Sequence, residues 1–165
     1  MTYNDIVRRL RYALNINDRS MMDIFRFGDH PVDLPGLKDL LKKEDEQGYV
    51  VCSGRVLGSF LDGFIIYKRG RKDATGGQAK QPDRQLTNNI ILRKLRIALE
   101  LKEDDMLGIL KLADFTISKS ELSAFFRDKE HKNFKACGDQ VLRNFLTGLA
   151  VRYRTVQGQH HGVAH

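Results

Sequence analysis

The stretch NDIVRRLRYAL, at Asn4–Leu14, returns as NIILRKLRIAL at Asn89–Leu99. The offset is 85 residues, and it holds without a gap from Asn4–Arg69 to Asn89–Arg154. The motif V-L-x-x-F-L-x-G at Val56–Gly63 has its twin at Val141–Gly148. A fixed-period match of this length is the mark of a duplicated structural unit. The chain is therefore one unit written twice.

Each copy reads as four helices. Ile6, Val7, Leu10, Ala13 and Leu14 fall on one face at helical spacing, as do Ile91, Leu92, Leu95, Ala98 and Leu99. A second helix starts near Asp18 and ends near Gly28, a residue suited to a left-handed helix end. Its counterpart begins with Glu103, Asp104 and Asp105, carboxylates that favour the positive end of the helix dipole. Ser118 with Glu121 forms a capping-box pattern for the third helix of the second copy. Asp33 and Pro35 suit the same start in the first. The last helix of each copy contains a glycine, Gly63 or Gly148, which costs roughly 1 kcal/mol against alanine. Its presence twice predicts a close helix–helix approach or a break.

The expected fold is all-α: a tandem duplication of a roughly four-helix unit, the two repeats packed with approximate two-fold pseudosymmetry. Residues 1–70 form the first repeat and 87–155 the second. Residues 71–86, nearly devoid of apolar side chains, are expected to be a flexible linker, and 156–165 a disordered tail.

Composition excludes several function classes. No apolar run reaches the length of a membrane span, so no membrane partner is expected. The start lacks the features of a signal peptide, which predicts a cytoplasmic protein. Cys52 and Cys137 occupy equivalent positions and read as small buried residues. Neither has the neighbours of a metal site, so no metal and no cofactor are expected. Phosphate-loop, dinucleotide, zinc-protease and nucleophile-elbow motifs are absent. No catalytic residue is assigned. Were there an enzyme site between the repeats, His131, Asn133 and Asp139 would be the first residues to inspect.

Formal charge is +7, and residues 87–154 carry about +4 of it. The copies share polar residues as well as apolar ones. Asn4, Arg8 and Arg11, with Asn89, Arg93 and Arg96, lie on one stripe of each first helix, away from the apolar face. Two readings compete. Pairing of Arg8 or Arg11 with the shared Asp29, and of their twins with Asp114, would make the stripe structural. Otherwise it contacts an anion, nucleic-acid phosphate or an acidic protein surface. Residues 104–127 also have the outline of a helix-turn-helix, with Lys119, Ser120, Ser123 and Arg127 at the exposed positions of its last helix. Asn4, Arg8, Arg11, Asn89, Arg93, Arg96, Lys119, Ser123 and Arg127 are thus the candidate binding residues. The expected function is non-enzymatic binding, with nucleic acid the first partner. The alternative is a protein-interaction adaptor or homodimerising module.

The residues NNIILRKLRIAL at Asn88–Leu99, SKSELSAFFR at Ser118–Arg127, HKNF at His131–Phe134 and CGDQVLRNFL at Cys137–Leu146 resemble the YehS-like proteins. These are a bacterial family defined as a domain of unknown function. The resemblance covers nearly the whole chain. It implies a small cytoplasmic bacterial protein, and it carries over no catalytic residue, cofactor or substrate.

Overall fold

A computed structural model describes residues 1–71 and 85–163, with side chains as far as Arg154. The described residues form eight helices and no strand. The first repeat supplies α1 (Tyr3–Leu14), α2 (Asp18–Phe27), α3 (Leu34–Leu41) and α4 (Gly54–Arg69). The second supplies α5 (Asn88–Leu99), α6 (Glu103–Leu112), α7 (Lys119–Phe125) and α8 (Asp139–Val163). The linker expected at 71–86 falls almost wholly on 72–84, outside the described residues. The backbone of α8 runs into the tail expected at 156–165, as far as Val163. No proline interrupts it, and extending a formed helix is far easier than starting one.

Local chemistry sets the helix ends. Thr2 and Asp5 cap α1 reciprocally, and Ser118 and Glu121 do the same for α7. Asp33 accepts from the Gly36 N–H at the start of α3, with Pro35 in the first turn. At the end of α2 the left-handed residue is Asp29, with φ 60°, and not Gly28, with φ −86°. The Asp29 N–H donates to Arg26 O and the His30 N–H to Phe25 O, both at 3.0 Å. Asp114 repeats this at φ 56° after α6. Aspartate tolerates left-handed backbone, which accounts for its appearance in both copies. Gly28 has a different reason to be glycine: a Cβ there would lie 1.8 Å from Ser59 O.

Within a repeat, the second helix packs on the last, α2 on α4 and α6 on α8. Their backbones touch at the duplicated glycine. A Cβ on Gly63 would lie 1.8 Å from Ile24 O, and one on Gly148 would lie 1.9 Å from Ile109 O. Of the two expectations for these glycines, close approach is the one realised.

Between repeats the arrangement is reciprocal. α1 packs chiefly on α8, and α5 chiefly on α4, so each first helix belongs to the other repeat's last helix. The α4–α5 pair runs parallel: Gly54 lies by Leu86, Asp62 pairs with Lys94, and Arg69 reaches Ile97 O at 3.1 Å. Arg154 reaches Tyr12 O at 2.8 Å, the pseudo-two-fold counterpart of the Arg69 contact. One continuous core results, with Leu10, Phe60, Leu95 and Phe145 all fully enclosed.

Candidate functional site

The shared Asn–Arg–Arg stripe is where the sequence placed a binding surface, and the structure places it largely inside. Asn4 is 1% exposed and Asn89 7% exposed. Asn4 Nδ2 donates to Leu40 O at 2.9 Å and Val50 O at 2.8 Å. Its Oδ1 accepts from the Cys52 N–H at 2.8 Å and the Tyr49 hydroxyl at 3.1 Å. All four hydrogen-bonding positions of the amide are used. Asn89 makes the equivalent bonds to Phe125 O, Lys135 O and the Cys137 N–H, each at 2.9 Å. Phe134 stands where Tyr49 does, so the fourth bond has no donor there. Each asparagine ties the end of the third helix to the segment leading into the last one. The irregular connection supplies carbonyls that no helix pairs, and a buried carbonyl must find a donor.

The arginines are half-buried and committed as well. Arg8 pairs with Asp5 and donates to Lys42 O at 2.9 Å. Arg93 donates to Phe126 O at 3.3 Å. Arg11 Nε donates to Ile16 O at 3.2 Å, and Arg96 Nε to Leu101 O at 3.1 Å. Those carbonyls lie just past the left-handed ends of α1 and α5, so each arginine clamps the turn that follows its helix. Arg11 forms its ion pair with Asp18, not with the Asp29 that the sequence suggested. Arg96 also stacks over Phe126, 4.8 Å from the ring centre.

Lys119, Ser120 and Ser123 face solvent on α7, and Arg127 follows it half-buried. Lys119 lies 3.7 Å from Asp104 and Lys135 lies 3.7 Å from Glu121; all four are exposed, so these pairs hold the lysines weakly. Arg127 Nη1 lies 3.5 Å from His131 Nε2, and its enclosed Nε has no hydrogen-bond partner among the described residues. Residues 119–135 carry five basic and three acidic side chains, where the matching 34–50 carry three basic and four acidic. The copies share a core and differ in the sign of this face.

A cleft of about 610 Å³ opens beside the starts of α1 and α8, lined by Thr2, Glu44, Tyr49, Val51, Asn88 and Asp139 among others. Asn88 Nδ2 donates to Asp139 Oδ1 at 2.7 Å and Cys137 O at 3.1 Å. At the equivalent place in the first repeat, the larger Tyr3 lies against Gly54 and reaches toward Leu86 O, 3.4 Å away. His131 and Asn133 are not brought to this cleft; the His131 ring accepts from its own loop, at the Asn133 N–H. Sequence reading missed the cleft. Tyr3, the first-repeat equivalent of Asn88, lines the same cleft, as do Asn4 and Cys52. Cys52 and Cys137 are buried, and burial pushes both thiols up to about 11. Among the described residues no helix is long and apolar enough to cross a membrane. Nor do any three His, Cys, Asp or Glu side chains there gather to hold a metal ion.

The fold defines a class: all-α proteins built from two copies of a four-helix unit whose end helices interlock. The model of one protein family, described as "Protein of unknown function (DUF1456)", matches residues 3–70 and again 88–155. The chain belongs to that family. It is 44% identical over 158 residues to the uncharacterized protein YehS of Escherichia coli (strain K12), covering 96% of this chain and 100% of the relative. No solved structure matches.

Proposed function

We propose that this chain is a non-enzymatic binding protein that engages nucleic-acid phosphate through the second repeat, around Lys119, Ser123 and Arg127. The observation that carries the reading is the charge contrast between 119–135 and 34–50 on an otherwise duplicated frame. Core packing asks for no such difference. A basic helix–loop face with weakly held lysines is suited to phosphate, where released counterions drive association. Lys129 and Lys132, both exposed, extend the face. Arg8, Arg11, Arg93 and Arg96 stand outside this reading, since each gives at least one donor to a backbone carbonyl of the fold.

Labelled DNA and RNA, single- and double-stranded, titrated in fluorescence anisotropy provide the test. Four phosphate contacts predict about a hundredfold loss of affinity between 50 and 200 mM salt. Replacing Lys119, Arg127, Lys129 and Lys132 together by alanine removes the binding, and replacing Lys38, Lys42 and Lys43 does not. Absence of salt-sensitive binding to every probe rejects the reading.

The adaptor reading has one observation in its favour: Val50 and Val51 are 47% and 69% exposed beside the cleft. If a protein docks there, V51D weakens that complex and leaves nucleic-acid binding unchanged.

A further inference from the structure

We propose that the surface by which the two repeats hold one another also accepts a second copy of this chain, giving a dimer in which first and second repeats are exchanged between chains. The proposal rests on the interlocking of the helices and not on the basic face of the second repeat.

Each first helix is packed on the last helix of the other repeat and scarcely on its own. The contacts that secure this lie wholly between repeats: Lys94 with Asp62, Arg69 with Ile97 O and Glu100, Arg154 with Tyr12. None of them senses whether the two repeats share a chain. An exchanged dimer contains every one of these contacts twice over. Only the connection distinguishes the two forms.

The described residues set the distance that connection must cover. α4 and α5 are parallel neighbours, so the chain leaves α4 at Arg69 and must return to the level of Gly54 to reach Leu86. α4 has 16 residues, a length of about 22 Å. At ~3.5 Å per residue, seven or eight residues are the least that can span it. Residues 70–85 provide twice that, so a single chain can close on itself. Tethering gives the closed form an effective concentration in the millimolar range, and the wild-type chain is monomeric below it.

Deleting residues 72–84 leaves only residues 70, 71 and 85 between Arg69 and Leu86, a reach of about 14 Å. That chain cannot close. It is expected to be a folded dimer at micromolar concentration, with undiminished helical circular dichroism and a melting temperature that rises with concentration. A folded monomer overturns the proposal.

A second arm uses the full-length chain, in case the shortened one does not fold. D62K alone faces Lys94, and K94D alone faces Asp62; each single variant places like charges together. In an exchanged dimer of one D62K chain with one K94D chain, both pairs are opposite in sign. The two variants, unfolded and refolded together at millimolar concentration, are expected to give a mixed dimer in native mass spectrometry. It should exceed either self-dimer at least several-fold. Monomers alone, or mixed and self-dimers in random proportion, overturn the proposal.

Discussion

Asn4 and Asn89 show how a polar side chain can be as much a core residue as leucine. Each is enclosed, and each satisfies backbone groups of a connection that has no ladder of its own. Truncation strands two carbonyls and one N–H in the interior, at about 1–3 kcal/mol for each buried group left unpaired. N4A and N89A are therefore expected to lower stability by several kcal/mol in urea denaturation. Y49F removes only the hydroxyl that the second repeat already lacks, and costs about 1 kcal/mol. The thiols make a second prediction at this scale. Burial raises the folded pKa of Cys52 and Cys137 from 9.0 to about 11, with Asp139 adding to the effect at Cys137. Both are expected to resist Ellman's reagent at pH 8 in the native protein and to react at once in denaturant. A raised folded pKa means the unfolded chain gives up these protons first. Their contribution to stability is complete below pH 9 and is lost as pH rises toward 11. Urea midpoints measured across that window should fall.

At the scale of the element, two glycines of α4 have opposite roles. Gly63 touches the backbone of α2 so closely that a Cβ would overlap Ile24 O, and Gly148 does the same against Ile109 O. Alanine offers about 1 kcal/mol of helix propensity at such a site, but the helices must then move apart along a packed face, and the clash wins. G63A and G148A should each destabilise by several kcal/mol in thermal or urea melts. A Cβ on Gly58, in the same helix as Gly63, would meet nothing within 4 Å. G58A is expected to stabilise by up to about 1 kcal/mol. The sequence marked Gly63 and Gly148 as unusual through their recurrence. It could not say whether the helix bent or a neighbour came close, because the partner helix is remote in sequence.

For the whole molecule, interlocking makes the repeats a single folding unit. α1 and α5 bury their apolar faces on the other repeat, so neither repeat can melt while the other stays whole. L10A, a core change in the first repeat, is expected to lower the melting of both repeats together, with probes in the two halves giving coincident transitions. Two separated transitions would refute this. The same interlocking decides which cations are free. Arg69 and Arg154, alike in sequence, each reach into the opposite repeat and bond a backbone carbonyl. A stretch of helix wheel showed them only as shared basic ends.

The duplication, the eight helices, the starts of α3 and α7 and the apolar faces were legible in the chain, because each depends on residues within a few positions of one another. The family, too, could be read from short motifs. The Asn–Arg–Arg stripe was also visible, and its meaning was not. Asn4 and Arg8 find their backbone carbonyls 34 to 46 residues away, at the end of α3 and beyond it, while Arg11 bonds Ile16 O, just past its own helix. A helical wheel measures angle around one helix and carries no record of what lies opposite. The exchange of end helices between repeats, the closeness at Gly63 and Gly148, and the cleft beside the starts of α1 and α8 were decided by tertiary packing alone. In each case the cause is a contact between segments that the sequence holds far apart.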